Sequence, residues 1–547
     1  MSETERQQPA SERLHELEDQ RRSNRDDVVA LGFSPYGRRT DNLSTLIEAR
    51  RAYDEAADER HKAREKDDTA PDQRPTAKVA GRIVLHRDTG RLVFMNLRDH
   101  TGDLQIAVSK RDCDEAGFKL AKIADLGDLV IAEGPITKTR TGEVTIWVGS
   151  LSPASKCLTP PPEKHAGLQD VEQRYRKRYI DLWSSPDSMR SFQMRSHIVS
   201  RIRRFLDERS YLEVETPMLQ SLAGGAAARP FMTHMNALDL DLYLRVAPEL
   251  YLKRLLVGGM PRVYEINRNF RNEGVDKTHN PEFTVLELYQ AHGNYRTMLE
   301  LTESLIRELA TMVITEERDA DADRPHSPGQ VIAPADEDEL PDSLVLSFGE
   351  HAIDYGARFV QITYAELFRD ALGFEIADAA AGRTEAQKRD IKTTDDEGRP
   401  LADILVINGL FERVAEPTID PARPTFVLDY PAALSPLTRA KPGTENDPIP
   451  LAERWDLFIA GMEIGPAYTE LNDPDVQAER FKQQLAGLEE DESTFRTYDE
   501  DFIDALKVGM PPAGGLGLGI DRLVMLLTNQ ATIRDVILFP LLRPRPT

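Results

Sequence analysis

The sequence predicts an α+β protein of several domains, in which a small β-barrel precedes a larger domain of strands and helices. Three observations support this prediction. At 547 residues the chain is too long for one typical hydrophobic core. Apolar residues recur with period two between Lys78 and Ser150, as in half-buried strands. After a proline-rich break, strand and helix patterns mix through to the C-terminus, as in α+β or mixed α/β domains.

The composition is that of an ordinary globular protein, with 40% hydrophobic and 30% charged residues. No apolar run reaches the roughly 20 residues of a membrane span, and the N-terminus lacks a signal-peptide core. Two cysteines, Cys113 and Cys157, are too few for a disulfide framework or a four-cysteine zinc site, so we expect a cytoplasmic protein with no membrane partner. The net charge of -24 excludes a general nucleic-acid coat but allows a local basic patch.

The N-terminal segment, residues 1–72, is rich in charges and carries sparse leucines at helical spacing: Leu14, Leu17, Leu43 and Leu46. We expect it to form a helical extension of surface helices. One basic patch, Arg174–Tyr179, has the charge to bind nucleic acid, although a solvated helix face explains it equally well.

Residues 73–160 contain several short strands and predict a small closed barrel. Three aliphatic triplets alternate with other residues: Val93, Met95 and Leu97; Leu104, Ile106 and Val108; Val144, Ile146 and Val148. If these triplets fill the barrel, its outer face carries Phe94, Gln105, Glu143 and Trp147. An aromatic ring beside an amide and a carboxylate suits unpaired nucleotides. Periodicity alone equally allows Phe94 to lie in the core.

A proline-rich stretch marks the next boundary, so residues 161–185 are predicted to be a linker and 186–547 a second domain. This domain begins with a helix whose apolar stripe contains Ile198, Ile202, Phe205 and Leu206. Pro217 then ends a strand or caps its edge. An acidic, proline-rich insertion is expected at about 316–342.

The stretch INRNFRNEGVDKTHNPEFTVLELY, residues 266–289, places many charged groups between apolar segments. Such groups cost free energy to bury unless they face a ligand or each other, although a solvated hairpin is the simpler alternative. A second informative segment is GGLGLGIDR, in which Gly515, Gly517 and Gly519 leave one side of a strand bare. A flat ligand can lie on such a strand, although glycines also relieve crowding between packed elements.

The two segments together suggest nucleotide activation on an antiparallel sheet. Phe283 can stack on one side of adenine and Arg522 on the other. Arg271 can bind an α-phosphate whose charge rises during attack by a carboxylate. The glycine spacing fits neither the dinucleotide fingerprint nor a Walker loop.

These segments resemble the class II aminoacyl-tRNA synthetases. RIRRFLDERSYLEVETPML resembles motif 1 of that class, FRNEGVDKTHNPEF motif 2, and GLGLGIDR motif 3. Further blocks, among them DYPAALSPL and TIRDVILFPLLRP, are similar to the lysyl-tRNA synthetase family, and the barrel resembles its anticodon-binding OB-fold. The resemblance runs from about residue 78 to the end and implies a catalytic domain built on an antiparallel sheet flanked by helices.

The resemblance also implies roles for individual residues. The catalytic residues would be Arg271 and Arg522. The ATP site would comprise Arg271, Glu273, His279, Phe283, Gly519 and Arg522. The lysine site would comprise Gly225, Glu249, Arg271, Glu287, Tyr289, Tyr468 and Glu470. Magnesium would be held by Asp456 and Glu463, and the anticodon by Arg87, Phe94, Gln105 and Glu143.

The implied function is that of a lysine–tRNA ligase, which activates L-lysine with ATP and Mg²⁺ and transfers it to tRNA(Lys). The family also implies a homodimer, with the motif 1 helix and the Pro217 strand at the interface. A relative that passes lysine to a protein side chain, or an RNA-binding protein that has lost catalysis, are the alternatives. One position departs from the family, because Pro466 stands where relatives carry asparagine, and we expect weaker lysine binding in consequence.

Overall fold

The computed structural model describes residues 10–64, 71–162, 168, 170–226, 228–322, 343–395, 398–485 and 498–544. Most of the predicted insertion, residues 323–342, lies outside this part of the chain. The chain divides into two compact units, Met1–Arg190 and Ser191–Thr547. The finer domain limits drawn from the sequence stay predictions. Within the described ranges, no helix combines the length and the hydropathy that crossing a membrane requires.

The first unit contains a barrel with helices before, within and after it. Its helices are α1 (Ala10–Ala30), α2 (Leu46–Arg51), α3 (Glu55–Lys62), α4 (Glu115–Ile123), α5 (Val171–Arg176) and α6 (Arg178–Ser184). Its strands are β1 (Thr76–Asp88), β2 (Leu92–Arg98), β3 (Asp103–Ser109), β4 (Leu129–Lys138), β5 (Val144–Val148) and β6 (Ser150–Ser155). Two short helices, α5 and α6, thus occupy part of the segment predicted to be a linker.

The strands form a sheet in the order β1-β2-β3-β5-β4-β6, and the pairing of β1 with β4 closes it into a barrel. The predicted aliphatic residues fill the interior, and most of them are completely buried: Val93, Met95, Leu97, Leu104, Ile106, Val108, Ile146 and Val148. Val144, the last member of the triplets, is only partly buried. The closed barrel predicted from period-two alternation is therefore confirmed.

The N-terminal helices are more than the surface helices that we expected. Leu14, Leu17 and Leu43 are exposed as predicted, but Leu46 is 1% exposed and belongs to the barrel core. In α3 the buried carboxylate of Asp58 accepts hydrogen bonds from Thr137 Oγ1 at 2.6 Å and from a backbone N–H of β4. A charge-rich sequence concealed these contacts, to which Val28 and Ala49 add buried apolar side chains in the same core.

The second unit contains the larger sheet. Its helices are α7 (Pro186–Asp207), α8 (Glu249–Val257), α9 (Tyr295–Ala322), α10 (Tyr364–Leu372), α11 (Ala379–Lys388), α12 (Asp403–Leu410), α13 (Pro474–Leu485), α14 (Glu500–Gly509), α15 (Ile520–Leu527) and α16 (Ile533–Val536). A π-helical turn (Phe411–Ala415) and two 3-10 turns (Glu416–Thr418 and Ala432–Leu434) complete the helical elements of its described part. Its strands are β7 (Leu212–Glu213), β8 (Leu219–Gln220), β9 (Met232–Met235), β10 (Leu240–Leu244), β11 (Arg262–Phe270), β12 (Glu282–Ala291), β13 (Val345–Phe348), β14 (His351–Asp354), β15 (Val360–Thr363), β16 (Thr425–Leu428), β17 (Arg454–Ile459), β18 (Met462–Thr469) and β19 (Ala513–Gly519).

Eight strands make the central sheet, in the order β15-β16-β17-β18-β19-β12-β11-β7. The six inner strands are mutually antiparallel, and only the two edge pairs, β15 with β16 and β11 with β7, are parallel. This architecture confirms the α+β prediction, and the sheet is antiparallel except at its edges.

One face of this sheet carries the hydrophobic core. Leu286, Leu288, Leu516 and Leu518 point to it, and each is at most 2% exposed. The predicted stripe of α7 is buried in the same cluster: Ile198, Ile202, Phe205 and Leu206. Because side chains alternate along a strand, the residues between these leucines point to the opposite face, which is left for polar chemistry.

Strands β18 and β19 approach each other unusually closely at Gly465. A Cβ built on this glycine would lie 1.8 Å from the carbonyl oxygen of Gly517. Regular pairing of β18 with β19 begins at Ala467, directly after Pro466. Proline has no N–H for a ladder hydrogen bond, so it fits at the point where the pairing stops.

We expect Gly465→Ala to destabilise the protein by about 3 kcal/mol, because the added methyl group must push two central strands apart. Urea unfolding of the full chain, followed through the transition of the second unit, measures this loss of stability. Gly274→Ala is the matched control in the same unit, since its Cβ would meet no atom within 4 Å. Equal unfolding midpoints for the two variants would contradict the close approach of the strands.

Candidate active site

A cavity of about 390 Å³ lies over the polar face of the central sheet. Strand pairing brings its walls together, because Val285, Glu287 and Tyr289 of β12 lie opposite Gly519, Gly517 and Gly515 of β19. Twelve of the residues implied for ATP, lysine or magnesium line it: Gly225, Glu249, Arg271, Glu273, His279, Phe283, Glu287, Tyr289, Glu463, Tyr468, Gly519 and Arg522. Asp456 and Glu470 are the implied residues that do not line it.

Two glycines of β19, Gly515 and Gly517, are required for different structural reasons. A Cβ on Gly517 would meet only Glu287 Cγ, at 3.9 Å, so this glycine forms an open floor. A Cβ on Gly515 would lie 2.0 Å from Glu470 Oε1 and 2.5 Å from the Tyr289 ring. Both interpretations of the glycine pattern therefore apply, a ligand floor at Gly517 and relief of crowding at Gly515.

The loop between β11 and β12 carries Arg271, Glu273 and His279 at one end of the cavity. Asp276 organises it, because its carboxylate accepts hydrogen bonds from the backbone N–H groups of Thr278 and His279 at 2.7 and 2.8 Å. Burial opposes ionisation of this carboxyl, but these hydrogen bonds lower the pKa of Asp276 to about 2. The loop is therefore held by a carboxylate that stays ionised through the neutral range.

Arg522 connects this loop to the sheet. Its guanidinium donates a hydrogen bond to the carbonyl oxygen of Glu463 at 2.6 Å, and a second guanidinium nitrogen lies 2.8 Å from His279 Nε2. The cation over the Phe283 ring is Arg271, with its guanidinium carbon 5.1 Å from the ring centroid. Phe283 and Arg522 line the same cavity, and stacking of adenine between them stays a prediction.

Sequence reasoning missed a buried anchor beneath the arginines. Asp521 is 2% exposed and forms an ion pair with Arg195 of α7 at 2.6 Å. Its other oxygen accepts the backbone N–H of Thr284 at 2.7 Å. The anchor thus joins α7, β12 and the start of α15. Its only sequence signal is the position of Asp521 next to Arg522, which does not identify its partners.

Three glutamates with little solvent exposure stand together at the other end of the cavity. Glu249 and Glu287 are each 8% exposed and Glu470 is 1% exposed. Burial, with the charge of Glu249 adding to it, raises the pKa of Glu287 to about 8. The three glutamates therefore form an acidic cluster, in which Glu287 gains or loses its proton near neutral pH, and their binding of lysine stays a prediction.

The chain places its own cation among these acids. Lys253 of α8 is fully buried, lies 2.6 Å from Glu249 and also forms an ion pair with Glu470. Sequence reasoning missed this residue, although its position four residues after Glu249 on a helix is a usable signal. Glu470 covers Gly515, since its Oε1 lies 2.0 Å from where a Cβ on that glycine would stand, and it pairs with Lys253.

The residues implied for magnesium differ in their availability. Glu463 lines the cavity, and burial followed by the charge of Asp456 raises its pKa. Asp456 is 4% exposed, and Arg454 holds both of its oxygens at 2.8 and 2.7 Å. The described residues contain no group of three histidine, cysteine or acidic side chains arranged around a metal position. Since Mg²⁺ commonly binds through one or two carboxylates together with substrate phosphates, this pair suits a phosphate-bound ion and not an all-protein cage.

On the barrel, the residues implied for the anticodon lie on its outer face. Phe94 is half-buried between the interior positions Val93 and Met95, and the Arg87 guanidinium lies 5.4 Å from its ring centroid. Gln105 accepts a hydrogen bond from Thr145 at 3.0 Å. Glu143 is also partly exposed, with Arg50 at 3.7 Å, and Trp147 donates to Asp112.

The three arginines of the basic patch at Arg174–Tyr179 form ion pairs within the first unit. Arg174 and Arg178 both pair with Asp181, at 3.0 and 2.6 Å, and Arg176 pairs with Glu172 at 2.7 Å. These ion pairs favour a folding role for the arginines over nucleic-acid binding.

Comparisons with known proteins identify a related family for each of the two units. Residues 170–543 match the family of class II tRNA synthetases (D, K and N), and residues 77–154 match the OB-fold nucleic acid binding domain. The chain is 42% identical over 533 residues to a lysine–tRNA ligase of Carboxydothermus hydrogenoformans, covering 97% of this chain and 99% of that protein. It is 42% identical to the lysine–tRNA ligase of Pelotomaculum thermopropionicum (98% and 96% covered) and 41% identical to that of Enterococcus faecalis (97% and 98%).

We expect Gly517→Ala to weaken ATP binding about tenfold, because overpacking a contact by one methyl group costs about 1–3 kcal/mol. The added Cβ stands in the cavity and not against a wall, so the thermal unfolding midpoint should hardly change. Calorimetric titration with ATP and a thermal scan measure the two effects.

Gly515→Ala is the contrasting variant. Its methyl group would clash with Glu470 and Tyr289, so it should lower the unfolding midpoint as well. Unchanged ATP affinity in Gly517→Ala would show that no ligand lies on this strand.

Proposed function

Because the chain belongs to the class II tRNA synthetases (D, K and N), we infer that it is a lysine–tRNA ligase. It uses ATP to activate lysine and transfers the lysyl group to tRNA. The observation that carries this inference is the acidic pocket of Glu249, Glu287 and Glu470 beside a cavity lined by arginines. Lysine brings two ammonium groups to such a pocket, and buried carboxylates need cations.

In the first step, the lysine carboxylate attacks the α-phosphate of ATP in line and pyrophosphate leaves. Arg271 lines the cavity, and its proposed role is to bind the lysine carboxylate and the α-phosphate, where negative charge rises in the transition state. Arg522 also lines it, and its proposed role is to bind the adenine and the γ-phosphate, with Phe283 on the other side of the base. No side-chain nucleophile is required, since positioning and charge stabilisation lower the barrier.

Glu463 and Asp456 are the residues that would hold Mg²⁺ on the triphosphate. The ion would neutralise phosphate charge as pyrophosphate forms. Glu463 faces the cavity, and its carboxylate is repelled by Asp456, which a cation between them would relieve. For Asp456 to take part, Arg454 must share or release one of its oxygens.

The amino-acid pocket selects for positive charge. Glu249, Glu287 and Glu470 supply carboxylates, and Tyr289 supplies a buried hydroxyl beside them. An aspartate-specific relative would instead need an arginine opposite the side-chain carboxylate. The strand segment EIGPAYTELND, residues 463–473, contains none.

In the second step, the terminal ribose of tRNA(Lys) attacks the mixed anhydride, at the 3′-hydroxyl if the enzyme follows its class. The outer face of the barrel is proposed to bind the anticodon through Arg87, Phe94, Gln105 and Glu143. Its half-buried aromatic ring beside an exposed arginine favours base stacking, and the amide and carboxylate favour base-edge hydrogen bonds.

A homodimer is proposed on the apolar surface around Pro217. Residues near it expose large hydrophobic side chains, which a monomer seldom leaves in water as a group. They are Leu212, Met218, Leu219, Leu222, Met232, Met235, Leu238 and Leu240, each between 39% and 68% exposed. A cytoplasmic location is proposed as well, with both cysteines present as free thiols.

Lysine-dependent exchange of pyrophosphate into ATP, measured with a panel of amino acids, tests the function. Exchange with lysine and charging of tRNA(Lys) are expected. Exchange with lysine but transfer to a protein acceptor would support the alternative of a relative that passes lysine to a protein side chain. This alternative is disfavoured because such relatives usually lack the barrel. Tight tRNA binding without exchange would support an RNA-binding protein that has lost catalysis.

Pro466 gives a separate prediction about affinity. It lines the cavity and offers neither a side-chain donor nor a backbone N–H to the lysine carboxylate. Restoring one hydrogen bond is worth about 1 kcal/mol, so Pro466→Asn should lower the lysine KM about fivefold. The exchange assay measures this, with the ATP KM as internal control. An unchanged or higher lysine KM would refute the expectation.

A further inference from the structure

Lys253 connects two walls of the amino-acid pocket. It lies one helical turn after Glu249 on α8, and its Nζ is 2.6 Å from Glu249 Oε1. The same nitrogen forms an ion pair with Glu470, which follows β18. The Lys253 side chain has no solvent exposure, and its Nζ lies 5.9 Å from the Tyr289 ring centroid.

The charges of the pocket show what this lysine contributes. Glu249, Glu287 and Glu470 supply three negative charges when ionised, while Lys253 and Arg271 supply two positive charges. With all three carboxyl groups ionised, these five groups carry one net negative charge, and a lysine zwitterion with its side-chain ammonium carries one net positive charge. Burial raises the pKa of Glu287 to about 8, so the empty pocket takes up a proton below that pH. Without Lys253 the imbalance would be two charges in a buried site, which proteins avoid by taking up a proton.

We propose that Lys253 is a positioning residue that supplies the counter-charge for Glu249 and Glu470 and holds both carboxylates in place for an amino acid with two ammonium groups. This inference rests on the proposed function, because it concerns how lysine is selected. Lys253 acts through the two carboxylates and not on the reacting atoms, so its loss should affect lysine binding more than ATP binding.

The surroundings of Glu470 indicate a pH dependence. The titratable and charged groups that face it are Lys253 and Glu249 of α8 and Tyr289 of β12, and Tyr289 in turn is faced by Glu287 and by Tyr468 of β18. Burial raises the pKa of Glu470 to about 7, and Lys253 opposes this rise. Removing Lys253 should raise this pKa further, so the carboxylate would be lost as the pH falls through neutrality.

The test is the lysine KM in the exchange assay between pH 6.5 and 8.5. For a rise of about one unit from a Glu470 pKa of about 7, Lys253→Met should raise the lysine KM about fivefold at pH 7 and about eightfold at pH 6.5, following the loss of the ionised fraction. The increase should shrink towards pH 8.5, where the carboxyl group ionises again. The ATP KM should stay within about twofold of the wild-type value.

Lys253→Arg keeps the positive charge but changes the shape of the side chain. It should raise the lysine KM without adding a pH dependence. If Lys253→Met does not fold, Lys253→Gln replaces it, since its amide can still donate to both carboxylates but carries no charge. Either neutral variant should show the larger rise in the lysine KM at lower pH.

Lys156→Met is the matched control. Lys156 is also a buried lysine that joins two carboxylates, Asp125 and Asp128, but it belongs to the first unit. Its replacement should lower stability and leave the lysine KM and its pH profile unchanged.

The outcomes separate the role of Lys253 from the proposed function of the protein. A pH-independent rise in the lysine KM of the neutral variant, or an equal loss at low pH in Lys253→Arg, would overturn the role of the charge. Wild-type protein without lysine-dependent exchange would instead overturn the proposed function.

Discussion

The antiparallel pairing of β12 with β19 is the constraint on which the site depends. It sets Glu287 opposite Gly517 and Tyr289 opposite Gly515, so acidic and aromatic side chains stand beside a bare backbone floor. The same register sends Leu286 and Leu516 to the other face, where they join the core. A slip of one residue would exchange the two faces, burying the acids and exposing the leucines. Core packing therefore fixes the geometry of the chemistry.

Much of this arrangement could be predicted from the chain alone. Period-two alternation located the barrel interior, and the spacing of Ile198, Ile202 and Phe205 located a buried helix face, because both patterns follow from local geometry. The glycine period gave the bare floor of β19, and the concentration of charge between residues 266 and 289 marked the cavity. These signals lie within single segments, so no knowledge of distant contacts was required.

What escaped prediction depends on partners far apart in the sequence. Asp521 meets Arg195, and Lys253 meets Glu470, across more than two hundred positions. Arg454 donates hydrogen bonds to the carboxylate of Asp456, which the sequence analysis treated as available to bind magnesium. Leu46, which lies on helix α2 and not on a barrel strand, packs into the barrel core. In each case the residue type was visible, but only folding decides which charge or cavity it satisfies.

The contact of Gly465 with the backbone of Gly517 has an evolutionary consequence. The two backbones face each other there without an intervening side chain, so no substitution to a smaller residue can change the distance between β18 and β19. A change in the size of the amino acid must therefore come from the side chains that line the cavity on β12, α8 and β18, while the spacing of the two floor strands at Gly465 and Gly517 stays constant.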